Sequence, residues 1–213
     1  MTYIVTLCVA FLVSRIPIVG KYIGGIDTLL HETGHALMAL ITSGRVKSIQ
    51  LFHDKSGLAE TGQSSWLGGV LTTLSGYVFS SAMAFGLFYL YNLQKYEWII
   101  YVLAFIVLLN LVLWIRNLYG FFWLITFGGI LTYLWFHLQE PFVPLVLLFF
   151  ICVNLMESIY SAAVILVMCY KDRRNAGDAS ILAKKTFIPA IVWGLLFFAQ
   201  SLYFGYMSIM QIS

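Results

Sequence analysis

Charge is what this 213-residue chain has least of. Only 10% of its residues are charged, 61% are hydrophobic, and the mean hydropathy is +0.91. A soluble domain carries about 25% charged residues. That deficit, with apolar runs of bilayer-spanning length, excludes a soluble globular protein and a disordered one. No polar stretch is long enough to form a water-soluble domain, and no internal repeat stands out. Residues 1–213 therefore read as a single integral-membrane domain. The twelve Lys and Arg and the net charge of +3 are no nucleic-acid signature, because the cations sit in the gaps between apolar runs. The three cysteines, Cys8, Cys152 and Cys169, lack CxxC spacing and read as buried helix residues. No phosphate-cradling glycine loop and no dinucleotide fingerprint is present.

What the chain has instead is apolar length. Runs over residues 2–19, 22–42, 66–91, 98–115, 118–136, 142–170 and 187–212 predict an all-α, polytopic membrane bundle of about six to seven transmembrane helices. The first run has no positive n-region and no small-residue cleavage site, so it reads as a retained span. Arg15 and Pro17 weaken its end. The basic gaps hold Lys171, Arg173, Arg174, Lys184 and Lys185; Arg45, Lys47 and Lys55; and Arg116. Excess Lys and Arg marks the cytoplasmic side. Seven crossings then place the N-terminus in the cytoplasm and the C-terminus outside. Between the second and third runs, residues 44–62 break the helical pattern. Val46, Ile49, Leu51 and Phe52 read as a strand, Asp54–Lys55–Ser56–Gly57 as a turn, and residues 58–61 as a return strand. A small β-hairpin on the cytoplasmic side is expected, with an edge able to pair with an extended polypeptide.

One motif carries chemistry. His31–Glu32–Thr33–Gly34–His35 is an HExxH sequence. On a helix the two histidines are one turn apart and share a face, so both imidazoles reach one zinc. Glu32 projects beside them as a general base for water activated at the metal. Chance would produce this pattern roughly 0.002 times in such a chain. Three ionisable residues in the middle of an apolar run are expensive unless they serve a function.

A catalytic zinc keeps three protein ligands, so a third must come from elsewhere. Asp178, just before the last run, is an oxygen ligand of the right type; it also reads as a helix N-cap. Glu157, in the sixth run with Asn154 one turn before it, is the rival. The metal would lie about 13–14 Å from the cytoplasmic end of its helix, and Glu157 sits at comparable depth without any loop folding inward. Asp27, four residues before His31, is placed to accept that histidine's second ring N–H. Asn154 and Asn117 are candidate oxyanion donors. Gly68, Gly69, Gly76 and Gly86 predict close helix contacts in the third run.

The stretch HETGHALMALITSGRVKSIQLF, with LSGYVFS around Gly76, RNLYG at 116–120 and GDASILAKKTFIPAIVW from Gly177, resembles the site-2 protease family of intramembrane zinc metalloproteases, in its small bacterial B-like branch. The resemblance implies His31, His35 and Asp178 as ligands of one Zn2+ and Glu32 as general base. The family's Asp-Gly pair is Asp178–Ala179 here. The expected function is a zinc endopeptidase of a bacterial cell membrane. Its substrate would be a membrane protein or membrane-adjacent peptide, cut within or next to the bilayer. A metal-binding membrane transporter and a catalytically inactive, substrate-binding homologue are the alternatives.

Overall fold

In the computed structural model, which describes residues 2–211, the chain is a helical bundle carrying one small sheet. The elements in order are α1 (Thr2–Ser14), α2 (Val19–Ile23), α3 (Gly25–Ile41), β1 (Arg45–Leu51), β2 (Gly57–Gly62), α4 (Trp66–Asn92), α5 (Tyr96–Leu109), α6 (Leu118–Phe136), α7 (Phe142–Lys171), α8 (Gly177–Thr186) and α9 (Ala190–Met210). A π-helical turn, Asn110–Trp114, continues α5. Backbone amides in lipid must be satisfied internally, and long apolar helices do this. Five helices are long and apolar enough to cross a membrane: α4, α5 with its π turn, α6, α7 and α9. Their outer faces expose Phe105, Leu108, Phe122, Leu195 and Leu196, as lipid contact requires. Cys8 is exposed too, unlike Cys152 and Cys169.

The first two apolar runs do not make two independent spans. Pro17 cannot continue a helix, and the preceding residue is pushed out of helical geometry, so the chain breaks after Ser14. The segments Tyr3–Ser14 and Val19–Ile41 are bent by 112° and count together as at most one crossing, giving up to six among the described residues. This changes the expected topology. Tyr3 Oη donates to Asn92 Oδ1 (2.8 Å), and Asn92 Nδ2 donates to the Gln211 carbonyl (3.0 Å). The start of α1, the end of α4 and the end of α9 therefore meet at one end of the bundle. The expectation, which counted α1 and α3 as separate crossings, put these two ends of the chain at opposite ends of the bundle. Arg15, at the end of the first run, lies 3.6 Å from Glu157 in the body of α7.

The hairpin forms where the sequence breaks helical periodicity, but it is not a surface feature. β1 and β2 pair antiparallel from Arg45↔Gly62 to Leu51↔Gly57, with a bulge between Val46 and Ser48. The sheet runs back along α3, burying Ile49 and Leu51. The outer edge of β1 is closed by the segment after the π turn. The Arg116 N–H donates to Ile49 O (3.1 Å), and the Asn117 side chain accepts from Leu51 N–H (3.2 Å) and donates to Leu51 O (2.5 Å). Asn117 holds the N-cap position of α6, but its side-chain amide pairs with β1 instead of capping the helix or facing the histidines. The hairpin tip reaches the bundle middle, where Lys55 Nζ meets Ser14 O (3.2 Å) and Glu157 Oε2 (2.9 Å).

Two apolar cores result. The larger joins α3, the hairpin, the second half of α4, α5, α6 and most of α7; the smaller joins the first half of α4, the end of α7, α8 and α9. The seam between them, where α3 faces α8 across α4, holds the polar groups.

Candidate metal centre

The HExxH segment is helical throughout. Its opposite face is fixed from α5: Asn110 Nδ2 in the π turn donates to Thr33 Oγ1 (2.9 Å), and Thr33 donates to Leu29 O (2.6 Å). π turns recur at functional positions because they re-aim side chains. With Thr33 held on that side, His31 and His35 face α4 and α8.

There the two imidazoles meet Asp178, in the first turn of α8. His31 Nε2 lies 3.2 Å and His35 Nε2 3.3 Å from Asp178 Oδ2, and the two Nε2 atoms are 3.0 Å apart. One ligand atom from each of the three residues lies within 4.8 Å of the others. His35 Nδ1 is 2.6 Å from the Thr72 carbonyl, which can only accept, so Nδ1 carries the proton and Nε2 keeps its lone pair. The donor set suits zinc: two imidazole nitrogens and a carboxylate oxygen, with three protein ligands leaving one position open.

Asp178 reaches this place because α8 is not part of a span. It is a ten-residue helix that packs on α4 and α9 and presents its first turn to α3. Glu157 stays away from the histidines, engaged with Lys55 and Arg15. Asp27 does not accept from His31 either. Its carboxylate takes hydrogen bonds from Ser80 Oγ and from Ser161 Oγ (3.3 Å), tying α3 to α4 and α7. Asn154 is fully buried, with its amide 3.5 Å from Ser80 O, so it joins α7 to α4 and does not face the histidines.

Sequence reasoning missed the partners on α4. A Cβ built on Gly76 would stand 2.6 Å from His31 Cε1, His35 Cε1 and His35 Nε2. Only a residue without a side chain lets the imidazoles lie this close to α4. The Tyr77 ring meets His31 edge-on at 4.5 Å. The expected close contacts in this helix are present at Gly68 and Gly69, but Gly86 meets nothing within 4 Å.

Glu32 is buried against β2, its carboxylate beside the Ala59 backbone amide and 2.5 Å from a Cβ built on Gly57. A cavity of about 600 Å³ opens over these groups, lined by His31, Glu32, His35 and Asp178 and by Gly57, Leu58 and Ala59 of β2. Of the two strands, β2 alone turns its unpaired edge toward this space, since β1 is closed by residues 115–117.

A polytopic helical bundle with an HExxH helix and a converging carboxylate defines an integral membrane protein with a candidate metal site. The family described as Peptidase M50B-like matches residues 4–208, and the chain belongs to it, within the site-2 protease family. Comparison with curated proteins and with solved structures gives no match.

Proposed function

We propose that this protein is a zinc-dependent intramembrane endopeptidase. The observation that carries the reading is the convergence of His31, His35 and Asp178 beside Glu32 in a cavity bordered by a free strand edge. His31, His35 and Asp178 would hold the ion. Bound zinc supplies Lewis acidity, polarising the scissile carbonyl and making water acidic enough to ionise near neutral pH.

The chain's own residues do the rest. Glu32 takes the proton of the attacking water at its carboxylate and returns it to the leaving amine nitrogen. Its burial against β2 keeps bulk water from competing for that carboxylate. The Thr72 carbonyl holds His35 in the tautomer a ligand needs. A helical substrate shields its peptide bonds, so it must unwind. Residues 57–59 offer an unpaired edge on which an extended segment of a membrane protein can add as a strand, within reach of Glu32. The basic loops at the site's end of the bundle support a topology with that end in the cytoplasm and both termini outside.

Purified protein tests this directly. Wild type should carry about one zinc per chain and cleave a membrane peptide substrate. Glu32→Gln should keep its zinc while cleavage falls by at least about two orders of magnitude. Zinc loss in Glu32→Gln, or undiminished cleavage, would refute the assigned role. Zinc without cleavage by wild type would leave a metal-binding scaffold.

A further inference from the structure

A second cavity, of about 660 Å³, opens at the site's end of the bundle on the far side of α8. It lies between the end of α7, α8 and the start of α9. Arg173, Arg174 and Lys184 line it. All three are exposed, and among the described residues none has a carboxylate within ion-pair distance. The nearby Asp172 is occupied by Asn175 Nδ2 (2.8 Å). Topology requires cations somewhere in this loop, but it does not require them to converge on a cleft.

The rest of the cleft is apolar. Tyr170 and Phe187 border it and are 87% and 92% exposed, the two most exposed large hydrophobic side chains of the described residues. Phe187 caps α8 with φ of 61°, a left-handed conformation that usually falls to glycine. An aromatic at such a position is strained, and its ring gains nothing from the protein interior. Beyond Phe187 the cleft continues over Ile188 and Ile191 onto the exposed apolar face of α9, with Val192 and Leu195.

A ligand complementary to this surface has an anionic head for the three cations and a long apolar tail for α9. We propose that the cleft is a binding site for an anionic phospholipid, its phosphate held by Arg173, Arg174 and Lys184 and an acyl chain lying along α9. A free phosphate would satisfy the cations and leave the aromatic rim and the α9 face without a role. The site also touches the metal centre mechanically. Ser180, Ala183 and Lys184 of α8 face the cleft, while Asp178 and Ile181 of the same helix face the first cavity. A lipid in the cleft braces the helix that carries Asp178.

The test uses the full chain, delipidated in uncharged detergent, with lipid retention followed by native mass spectrometry. Phosphatidylglycerol should be retained at least about tenfold more tightly than phosphatidylcholine of the same chains, as three clustered cations near a surface allow. The triple variant Arg173→Gln/Arg174→Gln/Lys184→Gln should lose that preference. Lys171→Gln, an exposed cation outside the cleft, should keep it. Equal retention of the two lipids by wild type, or an unchanged preference in the triple variant, would overturn the proposal. So would displacement of phosphatidylglycerol by millimolar inorganic phosphate, which would mark a site for soluble anions.

Discussion

Asp178 and Glu157 line the same cavity, and both are largely buried, with side chains 16% and 4% exposed. Their partners differ. Asp178 faces two imidazoles, whose ring nitrogens are of the kind that ligate a metal ion. Glu157 faces two basic side chains, Lys55 at 2.9 Å and Arg15 at 3.6 Å, and Arg15 also stacks on the Tyr160 ring at 3.7 Å from its centroid. A carboxylate converging with two imidazole nitrogens forms a set that can share one metal ion. One among cations is already balanced and serves to hold elements together, here the hairpin tip, α1 and α7. The two carboxylates divide the cavity into a chemical end and a structural end.

The largest effect that can break this division is on metal content. Asp178→Ala should lose nearly all zinc by elemental analysis, while Glu157→Ala should retain it; the reverse result would exchange their roles. Gly76→Ala comes next, because the new methyl collides with both imidazoles. Zinc affinity, measured by chelator competition, should fall about 10–100-fold, the scale for disturbing a ligand's support. The same change at Gly86, where nothing lies within 4 Å, should leave affinity alone.

At the structural end, Lys55→Met should keep zinc but lower unfolding stability by roughly 3 kcal/mol. That is the lower end for breaking a buried pair, since Arg15 still shares the charge. Adding Glu157→Gln should recover most of the loss in a thermal melt. The smallest effect belongs to the exposed Lys47–Glu60 pair of the hairpin (2.7 Å), where Lys47 holds the Glu60 carboxyl below its ordinary range. Lys47→Ala should leave both the thermal melting midpoint and the zinc content unchanged, as expected for a solvent-screened pair.

What was legible in the sequence follows the range of the interactions involved. His31, Glu32 and His35 were readable because helical spacing alone puts them together, and the turn at 54–57 because its residues are local turn formers. Asp178 stood out through its ligand chemistry, its place just before the last run and the family resemblance. The depth argument favoured Glu157 because it took the segment before α9 for a surface loop, whereas α8 folds inward against α4. The hairpin was foreseen, but not its insertion beside α3, which depends on Asn117 and Lys55 meeting partners far away in the chain. The role of Gly76 was invisible for the same reason. A small residue in an apolar run signals close approach without saying what approaches.

The separation of 147 residues between His31 and Asp178 also has a consequence in time. A ribosome adds about 5–20 residues per second, so the histidine pair is made roughly 7–30 s before the carboxylate that joins it. The cation Lys55 likewise precedes Glu157. Throughout that interval the membrane holds a half-made cluster with two imidazoles and an uncompensated lysine. Metal capture and docking of the hairpin tip are therefore late events in biogenesis, and chains released before α8 emerges should be metal-free and open to quality-control proteolysis.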